Sequence, residues 1–142
     1  MAAAGGHEGR LAGVELFAGL SGRQLKALVK KSREVHHPAG KVVTAEGLGG
    51  LAFHLILEGT ATVSKAGHEI RTLGPGDHFG EISMIDGRPR SATVTTNEPL
   101  TALAVPHASF EELLDEDPGF ARVLLRSLCA RLRERETSLS GD

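Results

Sequence analysis

The chain has 142 residues, 40% of them hydrophobic and 24% charged, and its 16 basic and 18 acidic residues leave a formal charge of -2. That length suits one domain able to bury about two-thirds of its unfolded surface, and the near-neutral balance removes any global electrostatic case for nucleic acid. The single cysteine, Cys129, excludes an intramolecular disulfide and fits a reducing compartment. His7, Glu8, Arg10 and Glu15 interrupt the N-terminus, so no signal peptide is expected. No stretch reaches the roughly 18 apolar residues of a membrane span. A cytoplasmic chain that does not enter a membrane is the expectation.

Residues 1–9 are small and Gly-rich and read as a flexible start. Ser21 then serves as N-cap for a helix in which Leu25, Leu28 and Val29 recur at helical spacing through SGRQLKALVKKS. His37-Pro38-Ala39-Gly40 turns the chain. Short apolar runs follow at Val42 to Thr44, Phe53 to Leu57, Thr60 to Ser64, Glu69 to Leu73, Ala92 to Thr96 and Leu100 to Val105. Glycine-rich turns separate them, which predicts an antiparallel sandwich or barrel. After Pro106, Ser109 can cap HASFEELLDED, with Glu111 and Glu112 near the positive end of its dipole. Asp117-Pro118 opens a second helix running to about Arg135 or beyond, with Phe120, Leu124, Leu128 and Leu132 spaced four apart. Cys129 falls on its apolar side, where inert packing is expected.

These elements predict a mainly β fold with flanking helices: an antiparallel β-roll, a double-stranded jelly-roll-like barrel, over about 38–105. An N-terminal helical segment precedes it, two C-terminal helices occupy about 107–137, and 138–142 form a tail. The whole of 10–137 is one domain in this reading.

One stretch, FGEISMIDGRPRSATV at 79–94, does not fit ordinary sheet. Gly80-Glu81-Ile82-Ser83-Met84 has room for one helical turn opened by glycine, whose free backbone N–H groups receive an anion readily. Arg90, following Pro89, can clasp a phosphate with two parallel hydrogen bonds. Glu81 is better suited to accept hydroxyl groups, such as a ribose 2′-OH. An acid and an arginine nine residues apart also suit a plain structural ion pair, and spacing alone leaves both readings open.

Phe79 to Met84, four residues of turn, then Pro89-Arg90-Ser91-Ala92-Thr93-Val94 resembles the phosphate-binding cassette of the cyclic-nucleotide-binding domain. That family includes the bacterial catabolite activator and the regulatory subunits of cAMP-dependent kinase. LFAGLSGRQLKAL, Pro38-Ala39-Gly40, Phe53 to Gly59 and Leu73 to Asp77 extend the likeness over nearly the whole chain. The resemblance implies a sensor with cAMP, or cGMP, as its ligand and no resident cofactor. It implies that Glu81 takes the ribose 2′-OH, that Arg90 pairs with the cyclic phosphate, and that backbone groups at Gly80, Ile82 and Ser83 complete the cradle beside Phe79. Ser91 adds a hydroxyl or backbone contact that leaves cAMP slightly ahead of cGMP. Val63, Leu73 and Ala92 are the candidates to line the pocket, with core packing the alternative for each.

The family closes its last helix over the base or uses it as a dimer seam. Here Leu128, Arg131, Leu132 or Arg135 would form the lid, the alternative being a helix simply packed on the barrel. Ala121, Leu125, Leu128 and Leu132 follow a heptad that Arg135 interrupts, so a homodimer through this helix is a second expectation. No helix-turn-helix follows the long helix, and the chain alone is expected to leave DNA uncontacted. It would act alone or as the regulatory piece of a longer protein with an effector that the residues do not name.

Two rival functions keep a place. A ligand-free interaction module could share the fold, although both the acid and the arginine are present. A cupin-type metal enzyme would need clustered histidines, but of the seven, adjacent His36 and His37 would point to opposite faces, and only His78 and Glu81 form a close pair near the key turn. No metal site and no catalytic residues are expected.

Overall fold

The computed structural model describes residues 2–44, 51–89 and 92–139. Helix α1 spans Ala2–Ala12, so the Gly-rich start is helical there. A 3₁₀ turn follows at Glu15–Phe17, then α2 at Gly22–Lys31. Ser21 caps α2 as expected, and reciprocally: its hydroxyl accepts from the Gln24 amide at 3.2 Å, while its own amide donates to Gln24 Oε1 at 2.9 Å. This closes a capping box that satisfies two otherwise orphaned donors.

Eight strands come next: β1 Arg33–His37, β2 Val42–Thr44, β3 Ala52–Glu58, β4 Ala61–Lys65, β5 His68–Leu73, β6 His78–Phe79, β7 Thr93–Thr96 and β8 Leu100–Pro106, with helix α3 at Glu81–Asp86 between β6 and β7. Helices α4, His107–Glu116, and α5, Pro118–Leu139, end the fold. The strands form two four-stranded antiparallel sheets, ordered β1-β8-β3-β6 and β2-β7-β4-β5. The expected jelly-roll-like β-roll is therefore corrected. Among the described residues no strand pairing joins the two sheets, and neither closes into a barrel. Two of the four edge strands are short: β6 has two residues, and β2 has three, with a register shift between Val42 and Thr44.

The chain divides into two compact units, Lys30–Glu111 and Met1–Val29 with Glu112–Asp142. In the first, Ile56, Phe79, Leu100 and Ala102 from one sheet meet Ala61, Leu73 and Val94 from the other in a shared apolar core. Each large side chain fully buried there contributes about 1.5–3 kcal/mol. In the second, the 3₁₀ turn packs on α5 through buried Leu16 and Phe17. Gln24 Nε2 donates to Asp117 Oδ2 at 3.2 Å, and Arg131 pairs with Glu15 at 3.1 Å.

The helical ends bring two further corrections. Ser109 is not a cap, because β8 runs straight into α4 at His107, whose amide donates to the Leu51 carbonyl at 2.7 Å. Cys129 is exposed rather than packed. The apolar stripe on α5 loses its cover along the helix: Phe120 and Leu124 are buried, Leu128 is half-buried, and Leu132 is 61% exposed. Asp117 and Pro118 do open α5, with the Asp117 carboxylate accepting from the Gly119 amide at 2.9 Å. No helix among the described residues is long and apolar enough to cross a membrane.

Candidate functional site

The site begins where β5 ends. In Gly74-Pro75-Gly76-Asp77 the Asp77 carboxylate accepts from the Gly74 amide at 2.9 Å, and Gly76 and Asp77 bond backbone to backbone with Ile56 of β3. That turn delivers β6 onto β3, with His54 opposite Phe79 and Leu55 opposite His78. Phe79 is buried with its ring stacked on His54, centroids 4.8 Å apart. Gly80 then takes φ 89° and ψ 9°, a left-handed conformation that costs a residue with a Cβ about 1–2 kcal/mol. The reversal opens α3, as the glycine had indicated. Met84, fully buried, anchors the far side, and its carbonyl accepts from His107 Nδ1 at 2.6 Å.

Beside α3 lies a cavity of about 340 Å³, within the usual range of roughly 300–1,000 Å³ for small-ligand sites. Val63, Phe79, Gly80, Glu81, Ile82, Ser83 and Ala92 all line it. The structure therefore gathers seven residues singled out from the sequence into one wall. Leu73 is not among the lining residues and is corrected: as the one buried residue of β5 it points into the core between the sheets. Arg90 and Ser91 lie outside the described residues. The proposed lid residues Leu128, Arg131, Leu132 and Arg135 belong to the other compact unit. Ser83 is 95% buried, whereas Ile82 stands 70% exposed at the rim.

Sequence reasoning missed five lining residues: Thr44, Asp86, Arg88, Pro89 and Val94. Thr44, Val94 and Val63 sit opposite one another across β2, β7 and β4, so they form one lateral row of the sheet. Thr44 is 2% exposed, and its hydroxyl has no hydrogen-bond partner among the described residues. The only signal for it was a lone hydroxyl at the end of an apolar strand. Arg88 brings a cation to the cavity wall, and its amide donates to Asp86 Oδ1 at 2.9 Å. A basic residue between Gly87 and Pro89 could have marked it.

Behind Glu81 stands His78, its Nδ1 3.2 Å from Glu81 Oε2. The approach is off the hydrogen-bond direction, so the contact is electrostatic rather than a formed hydrogen bond. Further back, the His37 ring lies 6.2 Å from His54. Burial, then the charge of Lys41 and the neighbouring His36, holds the His37 pKa below the ordinary 6.5. Among the described residues no group of three or more His, Cys, Asp and Glu side chains could hold a metal ion.

The sequence pattern of the cyclic nucleotide-binding domain matches residues 34–117. The chain belongs to that family. This cyclic nucleotide-binding domain is 30% identical over 135 residues to a CRP-like cAMP-activated global transcriptional regulator of Mycobacterium tuberculosis, covering 92% of this chain and 60% of the regulator. It is 33% identical over 121 residues to a cyclic nucleotide-gated potassium channel of Rhizobium etli, covering 85% of this chain and 34% of the channel. The chain thus spans only part of each relative. Among solved structures, the N-terminal domain of a transcriptional regulator from Streptomyces coelicolor A3(2) superposes with a TM-score of 0.82 at 28% identity, covering 92% of this chain and 94% of that one.

Proposed function

We propose that this domain is a sensor that binds a 3′,5′-cyclic nucleotide in the cavity beside α3, with cAMP slightly preferred over cGMP. The observation that carries the reading is the convergence on one cavity of the Glu81 carboxylate, the left-handed Gly80 and the buried Ser83 in the opening turn of α3. A helix opening in general suits a phosphate, and Arg90 is its proposed clasp, with Arg88 a second cation on the wall. Glu81 accepts the ribose hydroxyl, and the Val63, Ala92 and Val94 surface receives the base. The relatives' names support the ligand class, since one is cAMP-activated and one is cyclic nucleotide-gated.

Occupancy, in this reading, is passed to the helices after the sheet. Of the four lid candidates, Arg131 already pairs with Glu15, whereas Leu132 is exposed and free to cover apolar surface. Leu125 and Leu132, both more than 60% exposed and seven residues apart on α5, would alternatively meet a second copy. The output beyond α5 would lie in whatever domain or protein this one regulates.

Calorimetric titration of the purified chain with cAMP and with cGMP tests the proposal. Micromolar affinity, about 8 kcal/mol, is expected for cAMP, because two or three charge-assisted hydrogen bonds at roughly 1.5–3 kcal/mol each supply most of it. Absence of heat with both nucleotides at millimolar concentration would leave only a ligand-free interaction module of the same fold.

A further inference from the structure

We propose that His78 is the positioning residue for Glu81, holding from behind the carboxylate that reads the ribose; the inference rests on the nucleotide reading above. His78 is well fixed. It is one of only two residues in β6, paired with Leu55 of β3, and the preceding turn is bonded to Ile56 on the same strand. Its ring leans on the fully buried Phe53, centroids 5.6 Å apart, and its side chain is 22% exposed.

The intervening Gly80 folds the chain back so that residue 81 returns over residue 78, leaving His78 Nδ1 3.2 Å from Glu81 Oε2. Glu81 lines the cavity and His78 does not. The ring can therefore act on a molecule in the cavity only through the carboxylate. An ionised carboxylate has about four acceptor positions, and a ring that lies beside one oxygen without forming a hydrogen bond takes up none of them. A glutamate with three rotatable bonds otherwise loses rotamer freedom on capturing its ligand. Meeting a fixed ring at 3.2 Å removes part of that freedom beforehand.

The consequence is selective. Loss of the ring nitrogen weakens the grip on the 2′-OH and leaves the phosphate and base contacts as they were. The test is calorimetric titration of the wild-type chain, His78→Phe, His78→Asn and Glu81→Ala with cAMP and with 2′-deoxy-cAMP. His78→Phe keeps a ring against Phe53 without its nitrogen, and His78→Asn returns a nitrogen near the Nδ1 position. His78→Phe is expected to lose about tenfold in cAMP affinity, a difference of about 1.4 kcal/mol, with 2′-deoxy-cAMP changed by less than about twofold, within the context-dependence of single contacts. His78→Asn falls between the wild type and His78→Phe.

Equal losses for both nucleotides in His78→Phe, or none for either, overturn the assignment. If Glu81→Ala loses the preference for the ribonucleotide while His78→Phe keeps it, this inference alone fails. If the wild-type chain binds neither nucleotide, the nucleotide reading fails and takes the inference with it.

Discussion

Replacing Gly59 with alanine isolates how far the turns of this domain depend on close backbone approach. Gly59 leaves β3 with φ +92°, and a Cβ placed there would lie 2.4 Å from the Pro99 carbonyl oxygen and 2.9 Å from Leu100 Cα. Both obstacles are backbone, so no side chain can swing aside. Ordinary contact begins at 3.4 Å, and the turn must therefore retreat by about 1 Å. Three bonds cross the same joint: Asn97 N to Thr60 O at 2.9 Å, Thr62 Oγ1 to Asn97 Oδ1 at 3.0 Å, and Thr60 Oγ1 to Glu98 Oε2 at 2.9 Å. The left-handed conformation costs alanine about 1–2 kcal/mol, and losing two of those bonds adds about 1 kcal/mol each. The expected loss is thus about 3–4 kcal/mol, a large share of a typical stability of about 5–15 kcal/mol. Gly40→Ala is the control: its φ is +74°, and a Cβ there meets nothing within 4 Å, so only the conformational cost of about 1–2 kcal/mol applies. Urea unfolding of both variants reads the difference through the midpoint at constant slope. Agreement between the two within about 0.5 kcal/mol, the usual limit of additivity, would refute the idea that contact with Pro99 matters.

Arg90→Ala should weaken cAMP binding by about 2–5 kcal/mol, because a buried phosphate would keep its charge without a partner; titration calorimetry with an unchanged constant would contradict the clasp. Thr44→Val should raise the urea midpoint of the ligand-free chain by about 1 kcal/mol, since it removes a buried hydroxyl without a partner among the described residues at nearly equal shape, and a lower midpoint would oppose this. His37 binds its proton less tightly when folded than the ordinary 6.5, so the unfolded chain takes up that proton first. Its contribution to stability is present above about pH 6.5 and is lost as pH falls through the lower folded value. The difference in melting temperature between the wild type and His37→Gln, followed across that window, should change with pH; a constant difference would exclude the effect.

Local chemistry carried most of what could be read in advance. Ser21 at the start of α2, Gly80 before α3 and Asp117-Pro118 before α5 each act within a few residues, and each appears as expected. The strands at 52–58, 61–65, 68–73 and 100–106 were legible because glycine turns bracket apolar runs. Strand β1 was not. Its residues REVHH offer a single apolar side chain, Val35, and the strand exists through its pairing with β8. Turn spacing likewise specifies hairpins but not closure, which depends on pairing between sheet edges, and so the barrel was expected where two sheets stand. At the site, the acid and the glycine were readable from one short segment. Thr44 comes from a strand nearly forty residues earlier and shares a row with Val94 and Val63 only after folding. Leu73 and Val63 are alike as symbols and both pack in the core between the sheets, yet of the two only Val63 also lines the cavity.

His107 gives the irregular excursion a mechanical consequence. Its ring is tethered to the Met84 carbonyl at 2.6 Å, its amide is tied to Leu51, and its Nε2 would lie only 2.9 Å from a Cβ at position 87. One imidazole thus ties the far end of α3 to α4, whose first residue carries it. A tilt of α3 that drags the Met84 carbonyl must either snap this strut or rotate the opening turn of α4 with it.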